Sequence, residues 1–313
     1  MKPELLIHPD ELSDRWISRA AENGVKRISL HPTGGRTAHE SLGALVAALE
    51  TAEFREQIDR LCDSGVEIGY EFHAAGYLLP RELFDSHPEY FRVNEEGERT
   101  VKGNFCFSSP EALDIVTENA VKLAKSLYRS PKDLYFWLDD AKSGSCYCEK
   151  CRGRTYSDHQ LSVINAMLAR LRREWDPSAR MCYLAYYEAL SLPKEVTPQE
   201  GVFLEYAPIE RYTMPETAAW SDGVRKNIRD LLSFFGQDGA KVLEYWYDNS
   251  LFSRWKKPPK EFRLDKARQD ADLTEYRALG FSTVASFACF LGEDYVALFG
   301  EPDLSAVSAL AGE

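Results

Sequence analysis

The stretch SGVEIGYEFH, residues 64–73, ends one element and starts another within two residues. Gly65 closes a helical pattern, where a residue without a Cβ readily takes the left-handed conformation that caps a helix C-terminus. Val66 then opens a run whose side chains alternate between two faces, as a strand requires. The same joint recurs as NGVKRISLH (23–31), DGAKVLEYW (238–246) and LGFSTVASF (279–287). Helix, Gly and strand in repetition predict parallel strands connected by helices.

Working outward, eight candidate strands emerge at 5–8, 27–31, 67–73, 134–140, 181–187, 202–207, 241–248 and 282–288. Helical patterns lie between most of them. Residues 11–23 carry Leu12, Trp16, Ala20 and Asn23 on one stripe. Residues 110–128 open with Ser109 as N-cap and Pro110 in the first turn. Asp158 is the expected cap of a helix bearing Leu161, Ile164, Leu168, Leu171 and Trp175, and further helices are expected at 222–235 and 303–311. The connection 189–200 holds two prolines and no good helical pattern. Eight strands in this alternation predict a single (β/α)8 TIM barrel spanning 1–313 as one domain. The alternative, an open doubly wound sheet, would call for a Gly-rich phosphate loop after the first strand, and none is present. A long insertion (74–132) separates strands three and four, and within it residues 90–101 read as a hairpin turning at Glu96-Gly97.

The chain of 313 residues has 38 Lys and Arg against 50 Asp and Glu, a net charge of -12. That balance argues against nucleic acid and anionic membrane surfaces, which need clustered cations. Aromatic residues make up 12% of the chain. No apolar run approaches the ~20 residues of a membrane helix. The start MKPELLIHPDEL lacks the apolar stretch of a signal peptide. Seven cysteines, an odd number, then point to a reducing compartment and a cytoplasmic location.

Alternation along the strands gathers polar and aromatic groups at several C-terminal strand ends, where barrel active sites lie. His31 ends the second strand, Glu71 and His73 share a face of the third, and Trp137 and Asp139 share one of the fourth. Tyr186 and Glu188 do so on the fifth, and Glu244, Trp246 and Asp248 on the seventh, with His8 and Glu205 as further candidates. Each alone is equally well a loop cap or a solvated residue. Together, carboxylates that accept from hydroxyls and aromatic faces that stack on sugar rings suggest a carbohydrate substrate.

The fourth strand runs into WLDDAKSGSCYCEKC, residues 137–151. Two close carboxylates such as Asp139 and Asp140 resist ionising together, which suits a general acid beside a charged partner. The plainer reading is an Asp that caps the turn after a strand. Cys146, Cys148 and Cys151 have C-x-C-x2-C spacing, which lets thiolates converge on one tetrahedral ion. Cys106, in the loop after the preceding strand, is the candidate fourth ligand of a structural Zn2+ site, with reduced thiols or a redox role as alternatives. Cys62, Cys182 and Cys289 fall within helix or strand patterns and read as apolar filler.

FWLDDAK resembles the strand-four Asp-Asp signature of O-GlcNAcase-type β-N-acetylglucosaminidases, relatives of the β-hexosaminidases. The wider run HPEYFRVNEEGER…FCFSSPEAL…WLDD…CYCEKCR…YLAYYE, within residues 85 to 250, more closely resembles an uncharacterised family of glycoside-hydrolase-like barrels. The first resemblance implies substrate-assisted hydrolysis of an N-acetylhexosamine; the expected enzyme is a glycoside hydrolase acting on an N-acetylhexosamine- or uronate-containing glycan. Asp139 would orient the acetamide and Asp140 would act as acid and base. The second family often has Asn-Asp here, which aligns Asp140 with the shared Asp. Glu188, Glu205 or Asp248 would then partner Asp140 in a two-carboxylate scheme. A carbohydrate-binding barrel without catalysis is the rival. A third reading is a hydrolase or isomerase using a metal held by His8, His31 and His73.

Overall fold

A computed structural model describes residues 1–140, 144–212 and 220–311. Eight parallel strands close into a barrel in chain order: β1 (Lys2–Ile7), β2 (Arg27–Leu30), β3 (Glu67–His73), β4 (Asp133–Trp137), β5 (Arg180–Ala185), β6 (Val202–Tyr206), β7 (Lys241–Glu244) and β8 (Thr283–Phe287). This is the expected (β/α)8 architecture. Helix α1 (Asp14–Glu22) follows β1, and α2 (Ala38–Ala48) and α3 (Ala52–Asp63) follow β2. Between β3 and β4 lie α4 (Ala75–Leu78) and α5 (Pro110–Ser126), and α6 (Tyr156–Glu174) joins β4 to β5. After β6 come α7 (Ile209–Tyr212) and α8 (Asp222–Phe235), after β7 come α9 (Asn249–Phe252) and α10 (Lys266–Leu279), and α11 (Glu293–Phe299) follows β8. Among the described residues no helix is long and apolar enough to cross a membrane.

The chain divides into two compact units. The first comprises Met1–His31, Ala52–Gly69 and Leu204–Glu313. Its helix-to-strand joints behave as the sequence predicts, with Gly24, Gly65 and Gly280 at φ 70°, 86° and 94°. Leu5, Leu6, Ile28, Val242 and Val284 form its buried strand core. Inside it Lys241 is 1% exposed, and its Nζ lies 3.2 Å from Glu205 and 3.3 Å from Glu4. A lone buried ammonium is costly, and the two carboxylates beside Lys241 offset that cost.

β7 ends at Glu244, four residues earlier than the sequence suggests. Glu244 turns to α10, where the Tyr276 hydroxyl donates to it. Burial, with Asp272 nearby, pushes the Glu244 carboxyl up to about 8. A carboxyl raised above its unfolded value binds its proton more tightly in the fold, so stability falls as pH climbs from about 4.5 towards 8. Glu244→Gln, measured by urea unfolding at pH 5 and pH 8, is expected to shrink that loss.

The second unit comprises Pro32–Thr51 and Tyr70–Phe203. α5 is capped by Ser109, as predicted, and the α5 and α6 helices pack together in this unit. The cap of α6 is Thr155, not Asp158: the Thr155 hydroxyl accepts from the Asp158 N–H. Asp158 Oδ1 instead accepts the main-chain N–H groups of Lys194, Glu195 and Val196 at 2.8, 2.7 and 3.1 Å. That carboxylate organises the helix-free connection before β6. Residues 91–105 form antiparallel bridges, Phe91 with Phe105 and Val93 with Arg99, around a turn at Gly97 (φ 86°). The final expected helix is a 3-10 segment, Ser305–Ala311, and α11 before it has no counterpart in the sequence reading.

Candidate active site

β4 stops at Trp137, so Asp139 and Asp140 both lie in the loop beyond it and are freed from strand alternation. They occupy different surroundings. Asp139 Oδ2 is 2.5 Å from the Arg81 guanidinium, and its Oδ1 accepts the Gly76 N–H at 3.2 Å. Asp140 is exposed, and its Oδ1 accepts from the Tyr186 hydroxyl at 3.3 Å. His73 stands edge-on to Trp137, with ring centroids 5.2 Å apart. Its Nδ1 is 2.6 Å from the Leu138 carbonyl. A carbonyl only accepts, so Nδ1 carries the proton and Nε2 is the basic nitrogen. A Cβ on Gly34 would sit 3.3 Å from the His73 ring and 3.8 Å from Asp140 Oδ2, so this loop passes close to both side chains.

Asn104, fully buried, ties these loops together. Its Oδ1 accepts the Asp139 N–H at 2.8 Å, and its Nδ2 donates to the Gly144 carbonyl at 3.1 Å and the Tyr156 hydroxyl at 3.2 Å. The Gly144 N–H in turn donates to Glu188 Oε2 at 3.2 Å. Burial raises the Glu188 carboxyl above the usual carboxylate range. His73, Asp139, Tyr156, Gln160, Tyr186 and Glu188 line a recess of about 20 Å³, room for one water. A Cβ on Gly144 would stand 2.7 Å from Asn104 Nδ2 and 2.8 Å from Tyr156 Cε2. Gly144→Ala is therefore expected to lower stability by about 1–3 kcal/mol, read by urea unfolding.

Of the residues the sequence singles out, Asp139, Asp140, His73, Tyr186 and Glu188 come together in the second unit. Glu71 is fully buried on β3, in register with Tyr135. Others serve the first unit. Glu205 is engaged with Lys241. Trp246 is not on a strand, and its indole N–H points to Asp272 of α10 at 3.4 Å. Asp248 caps α9, accepting from Ser250 and Leu251. His8 and His31 are neighbours, the His8 Nδ1 lying 2.7 Å from the His31 carbonyl. The sequence reading missed Asn104 and Arg81. A polar residue inside the apolar run NFCF is a signal for the first. PRELF offers none for the second.

The four cysteines converge as the spacing predicts. Cys106, Cys146, Cys148 and Cys151 have all their sulfurs within 4.8 Å of one another. Among the described residues this is the only such group of His, Cys, Asp and Glu donors, so His8, His31 and His73 form no metal cluster. Cys106 Sγ lies 3.7 Å from Cys148 Sγ and 3.8 Å from Cys146 Sγ, and all seven cysteines are free of disulfides. A tetrahedron of ~2.3 Å Zn–S bonds has S···S edges of about 3.8 Å, which the two Cys106 separations match, with the remaining pairs within 4.8 Å. The Val93 N–H donates to Cys146 Sγ at 3.3 Å.

Several solved structures share the fold. A β-galactosidase from the psychrophilic Marinomonas ef1 superposes with a TM-score of 0.50 at 12% identity, covering 91% of this chain and 54% of its own. A β-galactosidase from the Antarctic haloarchaeon Halorubrum lacusprofundi gives 0.52 at 15% identity, covering 99% and 57%. Endo-glycoceramidase II from Rhodococcus sp. gives 0.52 at 11% identity, covering 92% and 72%. The chain thus spans little more than half the length of the two β-galactosidases. At such identities the likeness is one of fold. No curated protein matches the chain. Residues 49–230 match the family described as domain of unknown function DUF4838, a span holding Asn104, Asp139, Asp140, Glu188 and all four clustered cysteines, and the chain belongs to that family.

Proposed function

We propose that this protein is a glycoside hydrolase whose reacting carboxyls are Asp140 and Glu188. The observation that carries this reading is the contrast between them. Glu188 is half-buried with a carboxyl that burial raises above the usual range, suited to donating a proton to a leaving oxygen. Asp140 is exposed and steered by the Tyr186 hydroxyl, suited to act as the carboxylate of a two-carboxylate scheme. Glu205 and Asp248, the other candidate partners, are occupied in an ion pair and a helix cap. Asp139 is a positioning residue, because Arg81 and Gly76 hold both its oxygens. An acetamide-assisted route would require Asp139 to take a substrate N–H as well; the two-carboxylate route asks nothing more of it. The fold shared with β-galactosidases and a glycoceramidase supports the same class.

The four cysteines are proposed to hold one structural Zn2+. A closed thiolate shell leaves no open position for substrate. Its role would be to fix the loops that carry Asn104 and Gly144.

The test is a panel of aryl glycosides that includes 2-hydroxy sugars, N-acetylhexosaminides and glucuronides. Hydrolysis of at least one, lost in both Asp140→Asn and Glu188→Gln, is the expected result. Sugar binding without hydrolysis of any would instead establish a binding barrel.

A further inference from the structure

We infer that the cleft beside Asp140 carries a subsite for an anionic group on the glycan, the carboxylate of a uronate or a sulfate ester. The inference rests on the glycosidase reading for the sugar, but not for the charge. In a chain of net charge -12, four cations line one cleft. A cleft of about 430 Å³, within the size range of small-ligand sites, has Asp139 and Asp140 in its wall together with Arg36, Arg81, Arg92 and Lys102.

Arg81 is neutralised by Asp139. The other three are not. Arg36 and Lys102 are exposed, and among the described residues neither has a carboxylate partner. Arg92 is set in place by neutral groups: its Nε donates to the Lys102 carbonyl at 3.0 Å and its Nη1 to the Ser145 carbonyl at 2.8 Å. Main-chain carbonyls orient a guanidinium without cancelling its charge, which prepares it for an incoming anion. Glu188 feels the charge of Arg92, but burial, the larger effect, raises its carboxyl. Arg81 reaches the Gly103 carbonyl at 2.7 Å, so the segment bearing Lys102 is held against the cleft from both sides. Three cations without an ion pair among the described residues, against the one remaining carboxylate of Asp140, leave the sugar-sized cleft positive, which matches an anionic substituent better than a neutral ring, whose hydroxyls would ask for carboxylates and amides.

The experiment measures dissociation constants by calorimetry for sodium glucuronate, glucose 6-sulfate and glucose, at low and high salt, on the wild-type chain and on R36Q/K102Q. The expected result is that at least one anionic sugar binds roughly tenfold or more tightly than glucose at low salt. That preference should shrink with salt and disappear in R36Q/K102Q. Preference for glucuronate alone identifies a carboxylate subsite, and preference for the sulfate alone identifies a sulfate subsite. No charge preference, or a preference that survives in R36Q/K102Q, overturns the inference. Both substituted residues are exposed, and an unchanged thermal melt confirms that the variant is folded. Hydrolysis of neutral aryl glycosides without anionic preference would sink the subsite alone. Anionic binding without hydrolysis would sink the glycosidase reading alone.

Discussion

Asp140→Asn is expected to lower kcat on the best aryl glycoside by roughly 10²–10⁴-fold, the range for losing one positioned proton-transfer or charge-stabilising group. The change is isosteric, and the side chain is exposed and, among the described residues, bonded to Tyr186, so folding should survive it. Glu188→Gln should cost as much for substrates with poor leaving groups, and much less where the aryl group needs no protonation. In the wild type, Glu188 must be protonated to act. Because burial raises its carboxyl, the alkaline limb of kcat/KM should lie above the normal Glu range, and Glu188→Gln should remove that limb. An unchanged kcat in Asp140→Asn would overturn the assignment of Asp140.

Removing the metal should have the largest effect on stability. The purified protein is expected to carry about one zinc per chain. Structural zinc contributes on the order of 10 kcal/mol in small peptide sites. Even a fraction of that, at about 2 °C per kcal/mol for a large domain, lowers Tm by roughly 10 °C or more on chelation. Cys151→Ser, which removes a 1% exposed ligand, should mimic the chelator. The effect should reach catalysis, because Cys106 is two residues from Asn104 and Cys146 two from Gly144, the pair that bonds Asp139 and Glu188. Re-addition of zinc should restore Tm and kcat together. Purified protein with no zinc, and with the four thiols open to a thiol reagent, would sink the zinc proposal.

The eight strands and the convergence of the cysteines were legible in the chain because both rest on short-range signals. A Gly past a helix end, an alternating apolar run and a C-x-C-x2-C spacing each act over a few residues. The Gly24, Gly65 and Gly280 joints all take the predicted left-handed backbone. The candidate site was legible only in part. Alternation fixes where a side chain points while the backbone stays extended, and it fails where the chain leaves the strand. β7 stops at Glu244, so Trp246 meets α10 and Asp248 caps α9. β4 stops at Trp137, and two adjacent aspartates meet different neighbours.

What the sequence by itself determined is the barrel, the loop after strand four as the place where carboxylates and thiols meet, and the four-cysteine set. What only the tertiary structure decided is the division of labour there. Arg81 and Asn104, 58 and 35 residues from Asp139, reach it across loops. A hydrogen bond between distant segments leaves no periodic trace in the chain, since it depends on how far each loop travels before turning back. That is why Asp139 becomes a held residue and Asp140 an exposed one.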